Sequence, residues 1–384
     1  MIGLAAVVVI ASVSGLLLLG RGNATATLAQ SRASPSPPAA TSSAAAAGGA
    51  SGGTLLVEIS TPPNLVGPQT VHWIDLHGAQ VAAHQLPTNE AVLGAGGGHV
   101  LVYRGDGHVL DLRQDGSDAD VGQGMPATTA RGATTVPVRA LVSPDGTQWL
   151  WGQIVSQPGS NVTSTLTLAG IGAPARMVAQ ATEEGHALEP YRWTLADPLV
   201  AHAAVGVGGY LLFDEAAGQV DKLSLASGAQ TPVGPARPEA VDLAGSGARA
   251  YIENKAAATT RLLTVSGPGE RGLSAILPSN GQAGGLMFDP SSSHLVFASS
   301  PANSPGHEHL ETDVLDLISG ARSTFGPADL RPATWLPDGR LVEFRTSADG
   351  DGVPGTYLVA LDGTALRISP YARIVGVLKA LGAP

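Results

Sequence analysis

The amino-acid sequence predicts an all-β fold, a seven-bladed β-propeller built of four-stranded antiparallel blades. The first observation is a tight-turn signal that recurs about every 47 residues. The second is an apolar, strand-like run directly after each turn, and the third is a further strand and glycine turn later in each repeat. Two hairpins per repeat give a four-stranded sheet, and arranging such sheets around an axis leaves few exposed strand edges.

The turn signal is clearest at Ser143-Pro144-Asp145-Gly146. A type I turn favours Ser or Asp at its first position, Pro at its second and Gly at its fourth. Phe288-Asp289-Pro290-Ser291 and Trp335-Leu336-Pro337-Asp338-Gly339 resemble it, and weaker copies extend the series. The turns lie at positions 53, 96, 144, 198, 245, 290 and 337, so their spacings are 43, 48, 54, 47, 45 and 47 residues.

Strand-like runs rich in β-branched and other apolar residues follow these turns. They cover 54–59, 100–103, 149–155, 199–204, 250–252, 295–297 and 341–344. A second run in each repeat precedes a glycine turn, at 73–76, 110–112, 166–168, 211–214, 262–263, 315–317 and 358–362, before Gly78, Gly116, Gly170, Gly218, Gly267, Gly320 and Gly363. Both series have seven members, which predicts seven blades.

The two ends of the repeat region complement each other. No strand precedes Gly52, whereas an unassigned strand-like run, 373–378, follows the last hairpin. We therefore expect 373–378 to pair with 54–59 and to complete the first blade.

The S-P-D-G and L-P-D-G turns, each followed by an apolar strand, resemble the PD40, WD40-like repeats of the TolB propeller and of the propellers of prolyl oligopeptidase-type peptidases. The resemblance covers residues 54–384 and implies a propeller without implying an activity. TolB carries an additional N-terminal α/β domain and the peptidases a hydrolase domain. We expect neither domain here, and so a propeller alone.

The N-terminal residues predict a membrane attachment and a linker. Residues 2–20 are almost continuously apolar and long enough to cross a bilayer, so 1–21 is a transmembrane signal anchor or a cleaved signal peptide. Residues 22–53, rich in Ala, Ser, Thr, Pro and Gly, form a disordered linker. Arg21 follows the apolar run and no basic residue precedes it, which by charge alone favours a cytoplasmic propeller. We weigh the stalk-like linker more heavily and expect an extracytoplasmic propeller, secreted if 1–21 is cleaved.

Composition excludes some functions. The formal net charge is −10, so we expect no nucleic-acid partner, since nucleic-acid binding draws on basic surfaces. The absence of cysteine excludes a disulfide framework and a lipid-modified cysteine anchor. The acidic chain is expected to be a soluble monomer once freed from the membrane.

The densest polar segment is His307-Glu308-His309-Leu310-Glu311-Thr312-Asp313. On an extended strand His307, His309, Glu311 and Asp313 share one face, and such a set could bind zinc. A solvated loop before an edge strand explains the same pattern. We favour the loop and assign no metal ligand, no cofactor and no catalytic residue.

Other motifs have structural explanations. The segment 349–352 (Asp-Gly-Asp-Gly) begins like a calcium loop but has Ala360 where an EF-hand has Glu. The segment 143–149 is one residue short of a sialidase Asp-box, 104–106 (Arg-Gly-Asp) reads as a hairpin turn, and 94–98 lacks the helix of a phosphate-binding loop. The G-x-S-x-G match at 49–53 lies in the linker, and the N-x-T sequons at Asn23 and Asn161 matter only in a glycosylating host.

We therefore expect a non-enzymatic binding or scaffolding module, tethered to the membrane through its N-terminal helix, with a protein, peptide or envelope polymer as partner on a propeller face. Two alternatives remain open. One is a hydrolase or lyase that uses the funnel at the propeller axis, which would need paired carboxylates or a Ser-His-Asp arrangement there. The other is the sensory ectodomain of a signalling protein, which would need a cytoplasmic segment before residue 1.

Overall fold

A computed structural model describes most of the chain from residue 53 onward. Every regular element in the described part is a β-strand, and the strands form seven antiparallel sheets. The described residues are 53–61, 68–123, 129–130, 133–156, 161–193, 196–205, 218–235, 238–254, 261–267, 273–277, 281–300, 309–347, 349–350 and 352–379.

The seven sheets are the seven blades of a β-propeller, numbered from the first strand. Blade 1 contains β1 (Thr54–Ser60), β2 (Thr70–Asp75) and β3 (Gln80–Gln85); blade 2 contains β4 (Glu90–Gly96), β5 (His99–Arg104), β6 (His108–Leu112) and β7 (Asp118–Gln123). Blade 3 contains β8 (Thr129–Ala130), β9 (Ala133–Val142), β10 (Gln148–Ser156), β11 (Asn161–Gly170) and β12 (Ala173–Glu184).

The remaining blades repeat the four-stranded pattern. Blade 4 contains β13 (His186–Arg192), β14 (Leu199–Ala204), β15 (Val220–Leu223) and β16 (Gln230–Pro232); blade 5 contains β17 (Pro238–Leu243), β18 (Arg249–Asn254), β19 (Arg261–Ser266) and β20 (Leu273–Leu277). Blade 6 contains β21 (Gln282–Phe288), β22 (His294–Ser300), β23 (Glu311–Asp316) and β24 (Arg322–Thr324); blade 7 contains β25 (Arg331–Trp335), β26 (Leu341–Arg345), β27 (Gly355–Val359) and β28 (Ala365–Ser369).

The last strand, β29 (Ile374–Lys379), closes the ring. It pairs antiparallel with β1, with Leu56 opposite Val377, so blade 1 has the order β29-β1-β2-β3. The C-terminal strand thus supplies the innermost strand that the N-terminal part of the blade lacks. The predicted pairing of 373–378 with 54–59 and the count of seven blades are confirmed.

The apolar core lies between blades rather than in one central mass. Each seam between neighbouring blades holds its own cluster of buried side chains, and burying each large side chain contributes roughly 1.5–3 kcal/mol. Representative members, in seam order from blades 1 and 2 to blades 7 and 1, are Trp73 with Val92, Tyr103 with Trp149, Leu168 with Leu188, Leu199 with Val241, Ile252 with Leu286, Val314 with Leu341, and Leu358 with Leu56.

Two details differ from the sequence prediction. Blade 3 has a fifth strand, because the short β8 pairs with β9. The predicted second run of blade 4, 211–214, lies outside the described residues, and the third strand of that blade is Val220–Leu223, after Gly218 rather than before it. The glycine turn that follows this strand is at Gly228, whose positive φ of 73° suits glycine.

The predicted anchor (1–21) and almost all of the predicted linker (22–53) lie outside the described residues. In the part of the chain that is described, no helix has the length and apolar character needed to cross a bilayer.

Candidate functional site

The two faces of the propeller carry different kinds of connection. The connections from the first to the second strand and from the third to the fourth strand of each blade meet at one face, here called the turn face. The connections from the second to the third strand and from one blade to the next meet at the other, here called the loop face. Four loop-face connections are long: 61–69, 205–219, 301–310 and 346–354.

The described connections of the turn face include short turns that satisfy their own polar groups. In the turn at 143–146, the Gly146 amide donates to the Ser143 carbonyl at 2.9 Å. The Ser143 hydroxyl and the Thr147 amide donate to the Asp145 carboxylate at 2.6 and 3.0 Å. The hydrogen bond from the Ser143 side chain is the main cause that lowers the pKa of Asp145. These acidic groups therefore serve turn formation.

The same use of aspartate recurs around the turn face. Hydrogen bonds hold the carboxyl pKa below its usual value at Asp115 (from the Ser117 side chain), Asp316 (from the Ser319 amide), Asp338 (from the Arg340 side chain) and Asp362 (from the Thr364 amide).

On the loop face, a buried ion pair joins the first strand of blade 7 to the connection between the second and third strands of the same blade. Arg331 begins β25, and its Nε lies 3.0 Å from each carboxylate oxygen of Asp349, in the 346–354 connection. The amide and the hydroxyl of Thr346 each donate to Asp349 at 2.8 Å. The Asp349 carboxylate is fully buried, so it depends on these donors, and a charge-assisted pair of this geometry fixes the loop to the blade.

Asp329, next to this pair, adopts a left-handed backbone conformation with φ of 65°. Its Oδ1 accepts from the Leu310 amide at 3.0 Å, and its carbonyl accepts from Arg345 Nε at 3.0 Å. The exposed His309 ring lies 3.5 Å from the same Oδ1. A non-glycine residue at positive φ is held there by its surroundings, and these hydrogen bonds are the contacts that hold Asp329.

Behind the ion pair, Glu343 on β26 is buried in the seam between blades 6 and 7. The side chain has no solvent exposure, and neither carboxyl oxygen makes a hydrogen bond of good geometry. Burial raises its pKa to about 8, and the nearby Thr312 hydroxyl offsets this only in part. Glu343 is therefore mostly protonated at neutral pH, in the interior rather than at a surface that a substrate could reach.

Glu58 on β1 is the corresponding residue in the seam between blades 7 and 1. It is also without solvent exposure, and Ser369 Oγ donates to its Oε2. Burial raises the pKa of Glu58, while the Ser369 and Thr356 side chains lower it by less. Each of the two seams of blade 7 thus contains a buried carboxyl whose pKa is raised by burial.

Near the axis, charged side chains hold inner strands together. Arg192, the last residue of β13, donates to the Leu286 carbonyl of β21 at 2.7 Å and lies 2.9 Å from Asp242 of β17. Asp242 in turn accepts from the Phe288 amide at 2.7 Å. The inner strands of blades 4, 5 and 6 are therefore tied together near their turn-face ends, and these charges have a structural role.

The His307–Asp313 segment is only partly described. His307 lies outside the described residues, whereas His309 and Glu311 are exposed. Asp313 is buried, and Arg322 Nε donates to its carboxylate at 3.1 Å. Among the described residues, no group of three or more His, Cys, Asp or Glu side chains is placed to hold a metal ion.

The structure also locates the other motifs. Asp349 is the buried partner of Arg331, whereas Asp351 lies outside the described residues. Arg104 and Asp106 bond to each other at 2.9 Å across the turn between β5 and β6. The segment 94–98 joins β4 to β5, 143–149 forms the turn described above, and Asn161 is exposed at the start of β11. Asn23 and residues 49–52 of the G-x-S-x-G segment lie outside the described residues, which begin at Gly53.

Sequence reasoning missed the two buried glutamates, although a signal was present. Leu56-Val57-Glu58-Ile59 and Leu341-Val342-Glu343-Phe344 are near copies at the second strand of blades 1 and 7. A carboxyl inside an apolar strand run is unusual because burying it costs free energy. The corresponding strand positions of blades 2, 3 and 6 hold Val102, Trp151 and Phe297.

No protein-family model matches the chain, and no curated protein matches it. Several solved structures are similar. A Pseudomonas aeruginosa periplasmic gluconolactonase, PpgL, is 11% identical over 86% of this chain and 100% of its own, with a TM-score of 0.49. The β-propeller domain of the Trilobed protease from Pyrococcus furiosus is 10% identical over 82% and 99% of the two chains, also with 0.49.

An Agrobacterium tumefaciens protein described as TolB is 14% identical over 84% of this chain and 98% of its own, with a TM-score of 0.42. Similarities of this size establish neither a family nor an activity. The assignment of the repeats to the PD40 family remains a prediction.

Proposed function

We propose that this protein is a binding or scaffolding module that presents its loop face to a protein, peptide or envelope polymer. The observation that carries the proposal is the difference between the two faces: the described turns of the turn face are short and internally hydrogen-bonded, whereas the four longest connections between strands lie on the loop face. Loops held by a rigid scaffold are where binding residues concentrate.

The described part of the loop face supports such a role. The Arg331–Asp349 pair and the Asp329 contacts fix two neighbouring connections, so a partner would meet a surface ordered in advance. Exposed side chains project from this frame, with His309 74% and Val353 58% accessible. Preorganised contacts of this kind lower the entropic cost of binding.

Strand direction gives the expected orientation. β1 is the second strand of its blade and runs from the turn face to the loop face, so the chain before Thr54 joins the propeller at the turn face. Under the proposal that residues 1–21 attach the chain to the membrane on its extracytoplasmic side, the loop face is the end farther from the attachment point. That end is accessible to soluble or polymeric partners.

The proposal is tested with the full chain in detergent, by capture of partners from a cell-envelope extract of the source organism. The variant His309→Ala with Val353→Ser alters the loop face. The matched control, Ile318→Ser with Leu361→Ser, alters turn-face residues that are 88% and 55% exposed. Loss of capture in the first variant with retention in the second supports the proposal. Equal capture by both, or loss in the control alone, contradicts it.

A further inference from the structure

Blade 1 contains a chain of side-chain hydrogen bonds that joins a serine, a histidine and a glutamine. Ser60 ends β1, His72 lies in β2 and Gln80 begins β3, so three adjacent strands hold the group. Ser60 Oγ lies 2.8 Å from His72 Nε2, and His72 Nδ1 lies 2.9 Å from Gln80 Oε1. A nucleophile, a base and a group that orients the base have this order in acyl-transfer sites.

The contacts of Gln80 define which ring nitrogen carries the proton. The Tyr371 hydroxyl also donates to Gln80 Oε1, at 3.4 Å. An amide oxygen accepts and cannot donate, so His72 must carry its proton on Nδ1. Nε2 then has a free lone pair, and the hydrogen bond with Ser60 runs from the hydroxyl to the ring.

The surroundings keep His72 in the form that a general base requires. The Tyr371 ring stacks on the imidazole with centroids 3.8 Å apart and planes 18° apart, and His72 is buried. Burial lowers the pKa of His72, and the bond to Gln80 raises it by less, so the imidazole is neutral at pH 7. Ser60 is only half-buried and lies at the loop-face end of β1.

We propose that Ser60 is a nucleophile for acyl transfer, with His72 as its general base and Gln80 as a positioning residue, and that the substrates are small esters or lactones. The site lies on the outer three strands of blade 1, β1, β2 and β3, and is separate from the axial funnel. The proposal does not depend on the binding role proposed above.

The reaction balances with water as the co-substrate. Ser60 Oγ bonds to the carbonyl carbon while its proton moves to His72 Nε2 and the carbonyl π electrons move to oxygen. Collapse of this intermediate breaks the carbon–oxygen bond of the ester, and the leaving alkoxide takes the proton from His72. Water then attacks the acyl-serine in the same way, which releases the acid and restores Ser60.

The neutral orienting group defines the substrate class. A carboxylate beside Nδ1 stabilises the imidazolium that forms during attack, whereas a glutamine amide fixes the ring without supplying charge. His72 is therefore a weaker base than in a carboxylate-containing triad. Esters and lactones expel alkoxides more readily than amides expel amines, so they match this weaker base.

The test uses the full chain with diisopropyl fluorophosphate and with 4-nitrophenyl acetate. We expect the phosphoryl label on the peptide that contains Ser60, found by mass spectrometry, and slow ester hydrolysis. Ser60→Ala should abolish the label, and His72→Asn should slow labelling at least ~100-fold, the usual contribution of a general base. Ser227→Ala is the control, since the Ser227 hydroxyl donates to Ser224 on the turn face, and it should label as the unaltered protein does.

The role of Gln80 has its own measurement. Gln80→Ala should slow labelling, and Gln80→Glu should restore it and move the pH profile of labelling to higher pH, because a carboxylate raises the pKa of the adjacent His72. A role in stability alone would leave that profile unchanged. Thermal melts of each variant confirm folding. Failure of the folded, unaltered protein to label at Ser60, or equal labelling in the His72→Asn variant, overturns the proposal.

Discussion

Glu343 shows how one buried residue can make the stability of this propeller depend on pH. Its carboxyl lies wholly inside the seam between blades 6 and 7, and burial raises its pKa to about 8. Its described neighbours in the seam include the Thr312 hydroxyl, the backbone of Gly326 and the apolar Val359. With no cation among these neighbours, the protonated form is the one that fits the folded state.

The sign of the effect follows from the direction of the shift. A carboxyl that holds its proton more tightly in the folded than in the unfolded state adds to the free energy of unfolding. For Glu343 this stabilisation is complete below pH 4.5, the ordinary pKa of the group, and is lost as the pH rises through about 8. The loss is of the order of 5 kcal/mol for a shift of this size.

We expect Glu343→Gln to remove much of this loss, because a neutral amide has no proton to release. Urea unfolding of the variant and the unaltered protein from pH 4 to pH 9 tests the prediction: the variant should gain relative stability as the pH rises. The control Glu311→Gln changes an exposed residue and should leave the pH dependence as it is. Parallel curves for Glu343→Gln and the unaltered protein would contradict the prediction.

The Arg331–Asp349 pair gives a second prediction at the residue scale. Arg331→Ala leaves the fully buried Asp349 carboxylate without its cation, which costs about 3–5 kcal/mol for a buried pair. Replacing both residues, Arg331→Met with Asp349→Leu, leaves no charge behind and should cost much less. Unfolding free energies of the two single variants and the double variant measure this difference. Additive losses would show that the two charges do not depend on each other.

At the scale of the strand, close packing of inner strands sets which residues fit. A Cβ atom at Gly376 in β29 would lie 2.1 Å from the Ala95 carbonyl oxygen of β4, far inside contact distance. The closing strand therefore needs glycine at this point to approach blade 2. Gly94 of β4 makes the same kind of contact with the Ala140 carbonyl of β9, at 2.1 Å.

We expect Gly376→Ala to destabilise the protein by about 2 kcal/mol, because an overpacked interior must move backbone to admit a methyl group. Gly245→Ala is the matched control, since no atom lies within 4 Å of its added Cβ, and it should stay within about 0.5 kcal/mol. Urea unfolding measures both. Equal effects would mean that β29 can move away from β4 without cost.

The strands were predictable where turn chemistry and apolar runs coincide. The turn at 143–146, the run at 341–344 and the closing strand at 373–378 all appear in the structure. In blade 4 the predicted run 211–214 lies outside the described residues, and the described third strand, Val220–Leu223, was not predicted because it carries Asp221 and Lys222 among its four residues. Tertiary pairing with β14 determines that strand more than its own composition does.

The candidate sites were less predictable than the strands. Ser60, His72 and Gln80 are adjacent only through the pairing of three strands, and Arg331 meets Asp349 across 18 residues. The spacing of these residues in the sequence predicts neither the Ser60–His72–Gln80 chain nor the Arg331–Asp349 pair. Each depends on strand register and on the direction of the side chains. The repeated L-V-E segment at Glu58 and Glu343 was visible in sequence, but its burial follows from which face of the strand enters the seam.

At the scale of the whole molecule, the seven seams and the β29–β1 pairing make the ring a single cooperative unit. β1 is hydrogen-bonded on both sides, by β29 and by β2, so its edges are satisfied from Thr54 onward. The described seam clusters draw all their members from residue 55 and beyond.

We accordingly predict that removal of residues 1–53 yields a folded, soluble monomer, and that the full chain fractionates with membranes. The apolar run at 2–20 would supply the membrane affinity, and the propeller, with its acidic surface, would supply the solubility. Far-ultraviolet circular dichroism and light scattering after size-exclusion chromatography test the shortened chain, and membrane flotation tests both forms. Loss of the β signal on truncation would show that the N-terminal residues are part of the fold. Membrane association of the shortened chain would instead place the lipid contact on the propeller itself, where Ile171, Ile318 and Leu361 are exposed on the turn face.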